Sequence, residues 1–453
     1  MPISLIVLAA GQGSRMRSDR PKVLHEVAHA PLLTHALRAA DALGPERTVV
    51  VVGHGGDAVE AALAGMDAVI VRQAAQRGTA HAVAQARAAL EGMGGDAIVL
   101  YGDTPFIRPE TLRAMLDARA AGADIVVLGF EAADPDRYGR LIVAPAGRDG
   151  ATSDRLERIV EAKEATPEER AITLCNSGVV CADAALLFDL IDQVGDGNAA
   201  GEYYLTDIVG LARAARLSAR VVVCDEAETL GVNTRADLAA AEAAWQARRR
   251  ADLMAEGVTM TAPETVFLAH DTAIGRDTVL EPHVVFGPGV TVAGGATIRA
   301  FSHLEGCRVA EGCTVGPYAR LRPGTDLARG AKVGNFVEVK AAQVGAGAKV
   351  NHLTYVGDAE VGARANLGAG TITCNYDGVS KHRTAIGADA FIGSNTALVA
   401  PVTVGAEAMT GSGSVITTDV PDGALAIGRA RQVNKDGFAT RLMGKLRAAK
   451  RRP

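Results

Sequence analysis

The 453-residue chain is poor in aromatic side chains, at 4% with a single Trp, and holds 51 Gly. Much of its core must therefore be built from small aliphatic residues. The six cysteines, Cys175, Cys181, Cys224, Cys307, Cys313 and Cys374, form no C-x-x-C pair. In a chain of this length that pattern reads as reduced, buried thiols in a cytosolic protein. No long hydrophobic run occurs near the start. The stretch from Ile3 to Ala10 is too short to span a bilayer and no basic segment precedes it, so it is neither signal peptide nor anchor. The expected location is cytoplasmic, without membrane insertion. An excess of positive charge is also missing: the net charge of −5 excludes bulk affinity for nucleic acid or anionic lipid. The basic run from Lys445 to Arg452 reads as a solvated terminus.

What is present falls into two halves. In the first, near-continuous apolar runs, "SLIVLAA" (4–10), "RTVVVVG" (47–53), "AIVLYGD" (97–103) and "DIVVLGF" (124–130), alternate with helix-forming stretches at 32–43 and 79–92. Strands of this kind separated by helices argue for a parallel sheet covered on both faces, an α/β domain to about residue 230. Residues 236–256 contain no Gly or Pro and are mostly strong helix formers, which predicts a rod roughly 30 Å long between two domains. Trp245 within it is expected to pack against a neighbour.

Beyond the rod the period becomes six. Ile274, Leu280, Phe286, Val292, Ile298 and Leu304 recur at that step. After one five-residue step come Val309, Val315, Leu321, Leu327, Val333 and Val339. Val350 and Val356, then Val361 and Leu367, and finally Ile386, Ile392, Leu398 and Val404 keep the rhythm. Six fits neither a helix nor a simple amphipathic strand; it is the mark of a hexapeptide-repeat parallel β-helix with one inward aliphatic per short side. Such a scaffold has no folding use for His352, Tyr355, Asn366, Asn375 and Tyr376, which cluster in one stretch of it.

The segment "LAAGQGSRMRSDRPK" (8–22) follows the first strand. Strand, Gly-rich turn and helix together predict an anion site made of backbone N–H groups and a helix N-terminus. Gly11 and Gly13 begin like a dinucleotide fingerprint, but Met16 stands where its third glycine belongs, and no G-K-[ST] ending follows. Arg15 and Lys22 remain as two cations suited to a polyphosphate.

This segment resembles the sugar-nucleotidyltransferase signature L-A-A-G-x-G-x-R-M followed by P-K. The resemblance continues through "QRGTAHAV" (76–83), "YGDTPF" (101–106), "NSGVV" (176–180), "GEYYLTD" (201–207) and "GVNTRADL" (231–238), and it covers essentially the whole chain. It is to the GlmU family of bifunctional N-acetylglucosamine-1-phosphate uridylyltransferases and glucosamine-1-phosphate acetyltransferases. The resemblance implies an N-terminal Rossmann-like nucleotidyltransferase domain (1–232), a linker helix (233–256) and a left-handed parallel β-helix acetyltransferase domain with a C-terminal tail (257–453). The implied product is UDP-N-acetylglucosamine, a precursor for peptidoglycan and lipopolysaccharide. The implied assembly is a homotrimer through the β-helix.

By position, the resemblance implies that Asp103 and Asn233 hold Mg²⁺, with Arg15 and Lys22 beside the phosphates. A bland reading of Asp103 is a helix N-cap. UTP or UDP-sugar contacts fall on Leu8, Ala9, Gly11, Gly13, Lys22, Gln73, Gly78, Thr79, Tyr101 and Asn233, and sugar contacts on Gly139, Glu161 and Asn176. Tyr204 and Thr206 lie in a matching substrate loop. Thr234 departs from the family, which often repeats Asn there. In the repeat domain the resemblance implies that Arg322, Lys340 and Lys381 bind the sugar phosphate, with Tyr355, Asn366 and Tyr376 nearby. It makes His352 the general base and has Asn375 orient the amine. It sets Ser394 near the thioester carbonyl or sulfur as a further catalytic residue, and Ser412 and Arg429 align with acetyl-CoA contacts, Ser412 standing where relatives often have Ala.

Three other readings fit the sequence less well. A nucleotidyltransferase with a non-catalytic β-helix needs no "NHLTY" or "NYDGVSK" cluster. An NAD-dependent oxidoreductase conflicts with Met16 and with the repeats. A repeat scaffold without catalysis has no use for "YGD", "GVN" and the cationic loop together.

Overall fold

The computed structural model describes residues 2–135, 138–144, 154–198 and 201–450. It divides into two compact units, Met1–Arg249 and Arg250–Pro453.

The first unit is built on one sheet whose strands are β1 (Ile3–Ala9), β2 (Arg47–Val52), β3 (Val69–Arg72), β4 (Asp96–Tyr101), β5 (Ile125–Glu131), β6 (Arg140–Val143), β7 (Leu156–Val160), β8 (Leu174–Asp183) and β9 (Ala219–Cys224). Their order is β9-β5-β8-β4-β1-β2-β3, with β6 pairing β8 and β7 to one side. Both faces of the central strands are buried, which is why those strands carry no polar alternation. Leu5, Val7, Val50 and Val52 pack under helices Leu32–Asp41 and Pro109–Ala120. Their neighbours Ile6, Val49, Val51 and Val99 point the other way, toward helices Ala184–Ile191 and Asp207–Ala214. Each fully buried Val, Leu or Ile contributes roughly 1.5–3 kcal/mol.

The sheet is mixed, in contrast to the all-parallel expectation. β8 runs antiparallel to both β4 and β5. The cause is topological. β5 ends at Glu131, the β6–β7 hairpin follows, and β8 enters with Leu174 opposite Glu131, so it must run back along the strand just left. The helical stretch expected over 79–92 also differs. Its α-helix ends at Ala84, because the Gln85 side-chain amide takes the His81 carbonyl at 3.0 Å while the Gln85 backbone N–H bonds to Ala82. A single tight turn, Arg87–Leu90, completes it.

The rod is the helix Arg235–Ala255. Along its first-unit portion, Glu242 accepts the Ala28 N–H at 2.7 Å and Trp245 meets the His35 ring edge-on. Four of the six cysteines are buried; Cys224 and Cys374 are partly exposed.

The second unit coils through three parallel sheets of ten, eight and eight strands. One circuit runs Val333, Val339, Val344 and returns at Val350, which stacks directly on Val333. Every period-six aliphatic named above is buried. The aliphatic series is interrupted by a threonine at two inward positions, Thr373 and Thr410. Thr373, in register with Leu398 of the next coil, takes an inward position and satisfies its hydroxyl on the Gly357 backbone at 2.8 and 3.1 Å. A hairpin covering residues 375–383 leaves the coil just after it, closed by a bridge between Tyr376 and Lys381. The helix Phe438–Lys450 is exposed along its length; Arg451 and Arg452 of the basic run lie outside the described residues. Among the described residues no helix is long and apolar enough to cross a membrane.

Candidate functional site

The turn after β1 does not lead into an α-helix. A single turn, Ser14–Met16, follows, flanked by left-handed Gly13 and Arg17, and the first α-helix starts only at Leu32. The expected helix N-terminus is therefore absent from this spot, and side-chain cations take its place. Gly13 has φ +62°, and a Cβ there would lie 2.6 Å from Lys22 Cβ, so only glycine lets Lys22 lie across the turn.

Lys22 reaches the end of β4. Its ammonium ion-pairs with Asp103 and lies 3.1 Å from Asn233 Oδ1, which also accepts from Arg15 at 3.0 Å. The Val232 N–H bonds to the Asp103 carbonyl at 3.0 Å, which brings the 231–234 segment to the strand edge. Asp103 caps no helix, since the next one begins at Pro109. Thr234 has a local use: its hydroxyl accepts the Asp237 N–H at 3.1 Å while the Asp237 carboxylate accepts the Thr234 N–H at 2.9 Å, a reciprocal cap for the rod helix.

Two cavities open at this edge. One of about 310 Å³ is lined by Leu8, Ala9, Gly11 and Lys22 on one side, and by Gln73, Gly78, Thr79, Tyr101 and Asp103 on the other. The second, of about 510 Å³, contains Gly139, Glu161, Asn176, Tyr204 and Thr206. Thr79, Tyr101 and Glu202 line both, so the two cavities adjoin. Gly13, Arg15 and Asn233 sit beside the first cavity through Lys22. A third cavity of about 560 Å³, lined by Asp41, Glu46 and Arg47, holds none of the expected residues.

Burial, then the nearby Asp103 and Glu161 charges, push the Tyr101 phenol up, so it stays a neutral donor. Burial also raises the Glu161 carboxyl, although Thr206 donates to it at 3.2 Å. The Gln73 amide donates to the Gly78 carbonyl at 3.2 Å and contacts His81 at 2.9 Å. Asn176 opens an irregularity in β8, where its side chain accepts the Gly178 N–H at 2.9 Å. Sequence reading passed over Gln76, whose amide donates to the Ala10 carbonyl, and Glu202. Both lie inside motifs that the sequence displays.

On the coil, most of the expected residues fall at the two corners that border one face. Two positions past the inward residue, Asn335, His352, Ala369, Ser394 and Ser412 stack on successive coils. His352 is exposed, and its Nδ1 lies 2.9 Å from Asn335 Oδ1. The Ser394 carbonyl accepts the Gly413 N–H at 2.8 Å, and Arg429 lies beside Gly413.

At the opposite corner Arg322, Lys340 and Gly357 stack. Arg322 pairs with Glu338 at 2.8 Å, Lys340 with Asp358 at 3.3 Å, and Asn375 donates to Asp358. A Cβ on Gly357 would fall 2.3 Å from Tyr355 Oη and 2.9 Å from Asn375 Nδ2; its absence gives those two side chains their place. Lys381 and the exposed Tyr376 come from the hairpin, and the Lys381 amine loses proton affinity to the adjoining Lys340 ammonium. The structure thus gathers Arg322, Lys340, Tyr355, Asn375 and Lys381. It sets His352, Ser394 and Ser412 at the other corner, and Asn366 on a different face. Asn335, Gly357 and Asp358 were not singled out from the sequence as site residues.

A family model described as a MobA-like NTP transferase domain matches residues 5–183. A protein of Ruegeria sp. (strain TM1040) is 65% identical over 452 residues, covering 99% of each chain. One of Cereibacter sphaeroides (strain ATCC 17025 / ATH 2.4.3) is 65% identical over 450 residues, covering 99% of this chain and 97% of its own. A third, of Jannaschia sp. (strain CCS1), is 63% identical over 451 residues with the same coverage. Each carries the name Bifunctional protein GlmU. Among solved structures, UDP-glucose pyrophosphorylase complexed with UDP-glucose aligns with 55% of this chain and 100% of its own, at 18% identity and a TM-score of 0.43. At such identity over nearly the full length of both partners, the chain belongs to the GlmU family of bifunctional proteins.

Proposed function

We infer that this protein makes UDP-N-acetylglucosamine in two chemically unrelated steps: acetyl transfer from acetyl-CoA to glucosamine 1-phosphate on the coil, then uridylyl transfer from UTP at the sheet edge. The product is a precursor for peptidoglycan and lipopolysaccharide, and the setting is the cytoplasm. The observation that carries the reading is the pair of separate charged clusters, one around Lys22, Asp103 and Asn233, the other around Arg322, Lys340 and Lys381.

In uridylyl transfer the sugar phosphate attacks the α-phosphorus of UTP in line and pyrophosphate leaves. Repulsion between two polyanions is the main obstacle, so neutralisation and positioning carry the catalysis. Arg15 and Lys22 supply fixed positive charge. Gln73, Gly78 and Thr79 receive the nucleoside, and Glu161 and Asn176 the sugar. Asp103 and Asn233 would hold Mg²⁺: both of their oxygens already face one cation, the Lys22 ammonium, and few protein ligands suffice for this metal. Bound there, the ion would neutralise phosphate charge.

In acetyl transfer the amine must lose a proton as it attacks the thioester carbonyl. With Nδ1–H donating to Asn335 Oδ1, His352 Nε2 has a free lone pair to take that proton. The N–C bond forms, the C–S bond breaks, and the CoA thiolate departs. Arg322, Lys340 and Lys381 hold the sugar phosphate, and Asn375 orients the amine. Ser394 and Ser412, in the His352 column, line the path of the acyl donor, and Arg429 lies close to it. Assembly as a homotrimer would set these exposed corners against neighbouring copies, so that groups from two chains line each acetyl-transfer site.

The test mixes protein, glucosamine 1-phosphate, acetyl-CoA, UTP and Mg²⁺ and measures free CoA, pyrophosphate and UDP-N-acetylglucosamine. Pyrophosphate formed from N-acetylglucosamine 1-phosphate, without CoA release from glucosamine 1-phosphate, would leave only a monofunctional transferase.

A further inference from the structure

The hairpin that carries Lys381 is organised around one carboxylate. Asp377 Oδ1 accepts the backbone N–H groups of Val379 and Ser380 at 2.8 and 2.6 Å, while Oδ2 accepts from His382 Nε2 at 2.7 Å. The His382 N–H bonds in turn to the Asn375 carbonyl at 2.8 Å, and Asp377 N–H to the Ser380 carbonyl at 3.2 Å. Both chain neighbours of Lys381 are thereby tied to Asp377. These contacts hold the Asp377 carboxyl far below the usual aspartate range, the His382 ring first among the causes.

Lys381 needs such restraint. Its amine adjoins the Lys340 ammonium, and like charges at that range repel. Lys340 has Asp358 and Arg322 has Glu338, but among the described residues no carboxylate pairs with Lys381. An unrestrained hairpin would swing this lysine away, and a phosphate would then have to pull it back. A hairpin already closed holds Lys381 against the Lys340 ammonium, a repulsion that the nearby Asp358 only partly offsets and that an arriving dianion relieves.

We propose that Asp377 and His382 form a clasp that presents Lys381 to the sugar phosphate, acting as positioning residues for the acetyl acceptor. The idea rests on the reading of Arg322, Lys340 and Lys381 as a phosphate site. Loss of one exposed hydrogen-bonded pair corresponds to about 3–10-fold in binding. His382→Ala should raise the KM for glucosamine 1-phosphate by that factor, leaving kcat, the KM for acetyl-CoA and uridylyl transfer unchanged. His382→Gln, which keeps a donor for Oδ2, should restore much of the loss. Asp377→Asn keeps an oxygen for the backbone but meets His382 with an amide, and it should behave like His382→Ala. Lys381→Ala separates the two ideas. An unchanged sugar-phosphate KM in Lys381→Ala would overturn the phosphate site itself. A raised KM there, with no effect in His382→Ala and Asp377→Asn, would overturn the clasp alone. A fall in kcat without a KM change in the His382 variants would also overturn it.

Discussion

Asn335 and His352 occupy the same corner of adjacent coils, in register, with Asn335 Oδ1 2.9 Å from His352 Nδ1. The contact orients the ring and, with the amide oxygen accepting at Nδ1, leaves Nε2 as the nitrogen with a free lone pair. Asn335→Ala should lower kcat for acetyl transfer by about tenfold, within the range expected of a misaligned base. Uridylyl transfer measured on the same preparation should be unchanged.

His352→Ala and Asp103→Asn should dissociate the two activities. The first should lower acetyl transfer by about 10²–10⁴-fold with uridylyl transfer intact. The second should do the reverse, by about 10²–10³-fold. Loss of both activities in either folded variant would refute the separation of the sites.

Gly357 offers a steric test. The Cβ of Gly357→Ala would take space used by Tyr355 Oη and Asn375 Nδ2. Its φ is not among the positive values, so the backbone accepts alanine. Denaturant melts should show a cost of about 1–3 kcal/mol, while kcat/KM for glucosamine 1-phosphate falls by about tenfold or more as Tyr355 and Asn375 shift. Unchanged acetyl transfer would mean that those two side chains do not touch the substrate.

Glu161 offers a test by pH. Burial raises its carboxyl, so between the usual glutamate range and the raised value the folded protein holds a proton that the unfolded chain has released. Stability therefore declines as pH rises through that window. Glu161→Gln removes the effect. Its melting temperature should exceed that of the parent at about pH 7 and lose the advantage near pH 4.5. The sugar-binding step should weaken in the same variant. An equal melting gap at both pH values would contradict the burial account.

The repeat domain was legible because its code is local. Each circuit of the coil places one aliphatic per side, so positions such as Val333, Val339 and Val344 announce themselves in the one-dimensional text. The nucleotide cleft was legible in a different way, through motifs at strand ends such as "YGD" and "GVN". Local periodicity says nothing about strand direction, and so the reversal of β8 was missed: it depends on which edge the β6–β7 hairpin leaves free. Nor could composition reveal that the loop after β1 forms one short turn, since that follows from left-handed Gly13 and Arg17.

By itself, the amino-acid order determined the two architectures, the period of the coil and the residue types available for each chemistry, because these follow from neighbours close along the chain. Tertiary structure alone decided which of those residues meet. Lys22 finds Asn233 across 211 positions, Glu202 lines two adjoining cavities, and His352 and Lys340 stand at opposite corners of one face. Such meetings depend on sheet order and on how many residues each circuit spends at its corners, and no stretch of sequence read alone contains that sum.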